Sequence, residues 1–468
     1  MNFWDYSSWS FIIQIGIILV AIMTANVIRR KVKFIRNSLL PSSVIAGILV
    51  FSLMFIPKVG DFINHDFMEI LTYHCLGLGF IALALKTGTK SKDSSKKIIL
   101  FSGITTVNGY LVQAIVGLGL TILFSVTIFP DLFYAAGLLL PMGFGQGTGQ
   151  ALNIGGIFQD ANGFTSGRSF GLAVAAIGFL VACLVGVLYM NVLRKQGKLK
   201  LQESRKEVSN TLNSDIYAPD EAPLSEAVDK LTMQFGFVLL VYLLCLFTMW
   251  GISTLGIKYL GKFGTNTLRP LIWGFNFLFG SIFAMVIKKI IVLLKKKKIM
   301  NHSYINDYMM SRLSGFFFDI MIVAGIAAIK WDNLEGVLWP LLIICILGGI
   351  ATFLYVKYIC KKIYPNYEYE AFFSIFGMLT GTASTGMILL REIDPNYETP
   401  AADNLVLQQM PAILFGAPLL LLIPFAGQSF TNSLIMLGLV ILMFIVYNLI
   451  VLWNHIFKPK STLVDDKN

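Results

Sequence analysis

Eleven stretches of roughly twenty apolar residues dominate this 468-residue chain, near 10–28, 39–56, 69–85, 98–129, 168–193, 231–253, 268–287, 312–329, 336–358, 403–427 and 431–454. About 20 such residues in a helix cross the hydrocarbon core of a bilayer. Only 13% of the residues are charged and 56% are hydrophobic, where a soluble globular chain carries about a quarter charged. That much apolar surface does not fit inside one water-soluble core of this size. The chain reads as an all-α polytopic membrane protein, and the same composition excludes a disordered chain, a collagen and a disulfide scaffold.

The polar residues set the orientation. With the N-terminus outside, 31 of the 37 Lys and Arg fall on the inner side, the bias that fixes topology in the cytoplasmic membrane. The net charge of +11 is then a property of inner loops; contact with nucleic acid is not expected, and the Lys295–Lys298 run can meet anionic lipid headgroups. No positively charged region precedes the first apolar stretch, so it reads as a retained span rather than a cleaved signal. Five scattered cysteines and four scattered histidines show neither disulfide nor metal-ligand spacing.

The inner-side count works only if two further apolar segments, 132–160 and 370–392, return to the face they started from. Both are interrupted at their centres, the first by Pro141-Met-Gly-Phe-Gly-Gln-Gly-Thr-Gly-Gln150 and the second by Gly377-Met-Leu-Thr-Gly-Thr-Ala-Ser-Thr-Gly386. Tyr-x-Ala, at Tyr134 and Tyr369, precedes Gly145 and Gly381 by 11 and 12 residues. The expected organisation is therefore two inverted-topology repeats of five spans, 1–193 and 231–427, each with a re-entrant hairpin. A polar cytoplasmic linker at 194–230 joins them, and 428–468 adds an eleventh span and an inner tail. Inverted repeats with broken helices at mid-membrane are a transporter architecture.

Non-helical backbone inside a bilayer strands N–H and C=O groups at several kcal/mol each unless protein or a polar cavity supplies partners. A tip also opens a helix N-terminus, which favours anions, while carbonyls at the same break favour a cation. Gly381, Thr382, Ser384, Thr385 and Gly386 at the second tip, and Thr148 at the first, supply hydroxyls or close backbone for a carboxylate and a small hard cation. The competing explanation for such glycines is ordinary small-residue helix packing. Arg391 and Arg168 are candidate carboxylate clamps, against the common role of an interfacial arginine reaching the headgroups. Asp319, seven residues into the eighth span, is a candidate cation or proton ligand, since a carboxylate at depth costs at least about 2.5–3.5 kcal/mol unless it has a partner or cavity; a structural ion pair, or a depth shallow enough to reach water, explains it equally well. Asn108, Gln113 and Asn153 are supporting candidates for the cation.

These residues resemble the bacterial sodium/glutamate symporter family over about 10–427. The likeness rests on Leu40-Pro-Ser-Ser-Val-Ile-Ala-Gly47, Gly145-Gln-Gly-Thr-Gly149 and Gly163-Phe-Thr165, with weaker support from Gln113-Ala-Ile-Val-Gly117 and Ile329-Lys-Trp-Asp-Asn-Leu334. The resemblance implies Na⁺-coupled L-glutamate uptake at the inner membrane by a homodimeric elevator-type carrier, with no further cofactor and no enzymatic activity. It also implies that Gln146, Gly147, Thr148 and Gly149 contact substrate. The chain departs from well-known members in its Gly381-Thr-Ala-Ser-Thr-Gly386 tip, its eleventh span and its long linker. The first departure bears on the substrate, and a Na⁺- or H⁺-coupled carrier of another carboxylate is the alternative. Dispersed ionisable residues argue against an enzyme, two inverted halves against a central-pore channel, and the absence of a Walker loop against transport driven by the chain's own ATP hydrolysis.

Overall fold

The computed structural model describes residues 3–86, 96–199, 229–299, 304–395 and 398–457. Helices account for nearly all of the ordered structure: α1 (Tyr6–Lys31), α2 (Lys33–Asn37), α3 (Ser42–Leu53), α4 (His65–Leu85), α5 (Lys96–Val126), α6 (Leu139–Asn162), α7 (Gly167–Lys195), α8 (Lys230–Phe263) and α9 (Arg269–Gly274). Then follow α10 (Asn276–Lys296), α11 (Asp307–Ala327), α12 (Leu338–Ile363), α13 (Glu368–Thr380), α14 (Ala383–Arg391), α15 (Ala401–Leu407), α16 (Gln409–Ala426) and α17 (Phe430–Phe457). Among the described residues there is no strand. This is a multi-pass membrane protein: among the described residues, ten helices are long and apolar enough to cross a bilayer.

Ten, not eleven, because the 39–56 stretch does not form one long helix. Leu39 takes a left-handed conformation (φ 59°) and Pro41 follows, so α3 starts only at Ser42 and ends after 12 residues, about 18 Å of rise. The 268–287 stretch is also displaced. α8 runs on to Phe263, a π-helical turn covers Gly264–Leu268, and the long helix α10 is Asn276–Lys296. The 403–427 stretch is divided between α15 and α16. Most of the linker, 200–228, and the tail after 457 lie outside the described residues.

The chain divides into two compact units that do not follow the sequence halves. Unit 1 holds Met1–Ile22, Ala46–Lys90 and Glu203–Ala328; unit 2 holds Met23–Ile45, Ser91–Gln202 and Ile329–Asn468. Unit 1 thus takes α4 from the first half and α8, α10 and α11 from the second, while unit 2 takes α5–α7 and α12–α17.

In unit 1, α4 is the central helix, packed against α10 and α11. Close approach occurs where α4 is smallest: a Cβ on Gly79 would overlap the Phe318 ring and one on Gly77 would overlap Tyr242. Lys288 on α10 donates to the carbonyls of Ala84 and Lys86 (3.2 and 2.8 Å), supplying donors at the end of α4, where a helix leaves its carbonyls unpaired.

Unit 1 also contains one local device twice. Gln14 on α1 is fully buried; its Nε2 donates to the Phe62 carbonyl and its Oε1 accepts from the Asn64 N–H (3.2 Å). Asn64 in turn caps α4 by accepting from the Phe67 N–H (3.1 Å). On α8, Gln234 Nε2 donates to the Tyr304 carbonyl (2.8 Å) and its Oε1 accepts from the Asn306 N–H (3.1 Å). Asn306 caps α11 through the Met309 N–H (2.8 Å). Each glutamine satisfies a carbonyl and an amide two residues apart in the chain leading into the next capped helix, so both partners are stranded if it is lost. Gln14→Leu and Gln234→Leu should each destabilise the protein by about 1–3 kcal/mol, the usual cost of orphaning buried polar groups, seen as a lowered melting midpoint of the purified protein in detergent.

In unit 2, α5 is flanked by α12, α16 and α17. α17 is tied in by polar contacts: Tyr355 Oη donates to Asn448 Oδ1 (3.2 Å) and Tyr447 Oη to the Phe415 carbonyl (3.0 Å).

Candidate functional site

Unit 2 contains both interrupted segments, and each folds into a helical hairpin. In the first, Phe133 before α6 meets Phe158 near its end and stacks on Phe164 beyond it, with ring centroids 5.2 and 5.1 Å apart. A straight helix would hold Leu139 and Phe158 about 28 Å apart; the chain instead doubles back. The turn is at Gly147, the one residue of α6 with non-helical backbone (φ 79°, ψ −172°). An L side chain there is strained, which is why the turn sits on glycine. The arms are therefore 139–146 and 148–162.

The second hairpin is α13 and α14, turning through Gly381 and Thr382. Its arms touch backbone to backbone: a Cβ on Gly386 would overlap the Ser374 carbonyl. Thr382 caps α14, its Oγ1 accepting from the Thr385 N–H (3.4 Å) and its carbonyl from the Gly386 N–H (3.0 Å). The base is pinned as well. Tyr364 bonds Ser102 (2.6 Å), Asn404 donates to Tyr367 (2.8 Å), and buried Asp394 accepts from the Glu398 and Thr399 amides and the Thr399 hydroxyl (2.8, 3.0 and 2.7 Å).

The two tips meet. A Cβ built on Gly147 would lie 3.5 Å from Thr382 Cγ2. Around them Gly147, Thr148, Gly149, Gly381, Thr385 and Gly386 are buried, Gln146 and Thr382 half-buried, and Ser384 exposed. Three helices hold the arms in place. On α5, Tyr110 lies against Gly145, and Gly109 against Leu379; on α7, Gly178 lies against Phe144 and the Thr380 carbonyl. On α12, Thr352 accepts from Gln113 Nε2 (3.1 Å), which also donates to the Leu379 carbonyl (2.7 Å). Gln113 thus bonds the arm of one tip, while its Oε1 would lie 3.4 Å from a Cβ on Gly145, in the arm of the other.

Two helix N-termini, at Thr148 and Ala383, open at this junction beside the C-terminal ends of the partner arms. Amides and hydroxyls there can take a carboxylate, and carbonyl and amide oxygens a hard cation. Among the described residues no three His, Cys, Asp or Glu side chains come together.

Some candidates lie elsewhere. Arg168 is committed to Asp160 through two hydrogen bonds (3.1 and 2.6 Å) at the far end of the long arm, about 20 Å along that arm from Gly147. Arg391 is exposed at the far end of α14, about 13 Å from the Thr382 turn by helix rise. Asp319 belongs to unit 1, on the exposed side of α11. Asn153 is buried on the long arm, and Asn108 is fully buried on α5 in the neighbourhood of the Tyr355 hydroxyl.

Gln150, inside the first glycine motif but not singled out from the sequence, emerges from the structure. It sits in the first turn of the long arm, 1% exposed, and neither atom of its amide has a hydrogen-bond partner. A helical side chain leans toward the helix N-terminus, here toward the tip. Orphaned buried amides are uncommon in native proteins and demand a reason. The only sequence signal was the residue's place in the motif, since polarity alone does not reveal which amide lacks a partner.

Among the described residues, apolar helices of spanning length define a multi-pass membrane protein. The family model for the sodium/glutamate symporter matches residues 9–390, and the chain belongs to that family. No curated protein and no solved structure matches it at a significant level.

Gln150→Leu replaces a buried unpaired amide by an apolar group of similar volume. It should raise the melting midpoint, by an amount equivalent to about 1–3 kcal/mol, and abolish transport; thermal melts and uptake measured on the same preparation check both halves.

Proposed function

We propose that this protein is a Na⁺-coupled symporter that carries L-glutamate inward across the bacterial cytoplasmic membrane. The observation that carries the reading is the meeting of Gly147 and Thr382 at two tips within one compact unit, in a chain of the sodium/glutamate symporter family. The substrate carboxylates lie at the N-termini beginning at Thr148 and Ala383, aided by Gln146, Thr148, Thr382, Ser384 and Thr385. The backbone of Gly147, Gly149, Gly381 and Gly386 permits close approach. Na⁺ is held by neutral oxygens, with Gln113, Asn108 and Asn153 as the candidates. Arg168 and Arg391 are assigned the ends of their hairpins rather than the substrate.

In this reading the hairpins are re-entrant from opposite faces, the N-terminus is outside and the end of α17 inside. Unit 2 is the moving body and unit 1 the fixed one of an elevator, in a homodimer. Support for the inverted repeat comes from unit 1, where Gln14–Asn64 and Gln234–Asn306 build the same latch ahead of α4 and α11. Na⁺ coupling is preferred over H⁺ coupling because the chain belongs to the sodium/glutamate symporter family.

Moving one negative charge into a negative interior costs about 2.3 kcal/mol per 100 mV. A monoanion is therefore helped by the potential only with two or more cations. Proteoliposomes with an inward Na⁺ gradient should accumulate labelled L-glutamate and carry inward positive current, and K⁺ in place of Na⁺ should abolish both. Correctly inserted protein without accumulation would remove glutamate as the substrate; accumulation with outward current or none would remove the stoichiometry.

A further inference from the structure

The orientation of the Gln113 amide is fixed by its neighbours. The Thr352 hydroxyl donates its only proton to the Gly348 carbonyl (2.7 Å), so toward Gln113 it can only accept. The Leu379 carbonyl can only accept. Both groups therefore face the Gln113 nitrogen (3.1 and 2.7 Å), and its two N–H bonds are used. Oε1 is left fully buried with no partner, directed at Gly145 of the first hairpin. Rotating the amide by 180° would set Oε1 against the Leu379 carbonyl, acceptor against acceptor, and leave the amide N–H groups without that partner, so the bond to Leu379 fixes the orientation.

A locked, buried oxygen with no donor is a receptor for positive charge, and the same amide grips the arm of the second hairpin. We infer that Gln113 is the coupling residue of the site: a cation on Oε1 strengthens the hold of Nε2 on the Leu379 carbonyl and so fixes the second hairpin in place. The physical basis is polarisation. A cation on an amide oxygen draws charge from the nitrogen, and a donor made more positive forms the stronger bond, as in other charge-assisted pairs. Leu379 stands two residues before the Gly381–Thr382 turn, so what is fixed is the position of the tip. The cation is either Na⁺ or the ammonium group of the substrate, which share this chemistry. The inference rests on the proposed symport but not on the identity of the substrate.

Hydrogen exchange read by mass spectrometry on the full-length purified protein tests it. Exchange across residues 379–389 is compared in NaCl and choline chloride of equal ionic strength, and in choline chloride with L-glutamate or with glutarate, which lacks the ammonium. Na⁺ alone should slow exchange there by tenfold or more. Slowing by L-glutamate, but by neither Na⁺ nor glutarate, would support the inference with ammonium as the cation. No slowing in any of these conditions would overturn it.

Gln113→Leu should abolish the slowing, while Thr352→Val, which keeps both Oε1 and the bond to Leu379, should retain it. Full slowing in Gln113→Leu overturns the inference, and Gln113→Met serves if the leucine variant does not fold. The two readings fail separately. Gln113-dependent slowing by Na⁺ without L-glutamate binding at any concentration leaves the coupling standing and removes glutamate. Na⁺-driven glutamate uptake without Gln113-dependent slowing does the reverse.

Discussion

A helix interrupted within an apolar segment strands backbone amides and carbonyls where no water can reach them, and unit 2 is arranged around two such interruptions. Each is handled differently. At the second tip the threonine at the turn caps the following helix, so part of the N-terminal deficit is repaired locally by Thr382. At the first tip a single glycine at φ 79° turns the chain, and the residue three positions later, where a helix often places a side chain that reaches back to its own N-terminus, is Gln150 with nothing bonded. The Gln150 amide at the first tip is thus unbonded, whereas the Thr382 hydroxyl at the second is bonded to its own helix.

The outline of the fold was legible because apolar length is a strong signal: hydrocarbon thickness imposes a run of about 20 residues, and ten helices meet it. The failures share a cause. α3 has only 12 residues, its start delayed to Ser42 by Leu39 and Pro41, a backbone event that hydropathy does not register. α10 is displaced because its last turns contain Lys288 and Lys289, which hydropathy assigns to a loop. In the structure Lys288 is retained by the carbonyls of α4, a partner more than 200 positions away that a reading of the local sequence does not contain.

The site was legible to a similar depth and for similar reasons. Gly147 and Thr382 could be singled out because glycine and hydroxyl residues in an apolar run are anomalous by type. Gln150 and Thr352 are anomalous only through their partners: one lacks them, the other has spent its proton on Gly348. Arginine stands out for the opposite reason. Its charge is conspicuous in an apolar sequence, yet Arg168 satisfies that charge with Asp160, eight residues away at the end of the same hairpin, and brings none of it to the tip. Charge in a membrane segment shows that a partner is needed, not that the partner is a ligand.

That Arg168 and Arg391 stand at the far ends of their hairpin arms has an energetic consequence in the proposed symporter. Guanidinium beside the turn would bind a carboxylate with or without sodium, and the gradient would then do little work, because the anion would already be neutralised. Neutral dipoles offer less. Helix termini are worth about 0.3–1 kcal/mol for an exposed charge and up to about 2 in partly buried geometry, short of what burying a carboxylate costs. The deficit has to be met by a charge arriving with the substrate. Affinity for the anion then depends on occupancy by the cation, and by linkage the cation's affinity depends equally on the anion. In the proposed symporter, a site built from Gln113, Gln150, threonine hydroxyls and glycine backbone is weak by itself, and that weakness makes coupling obligatory.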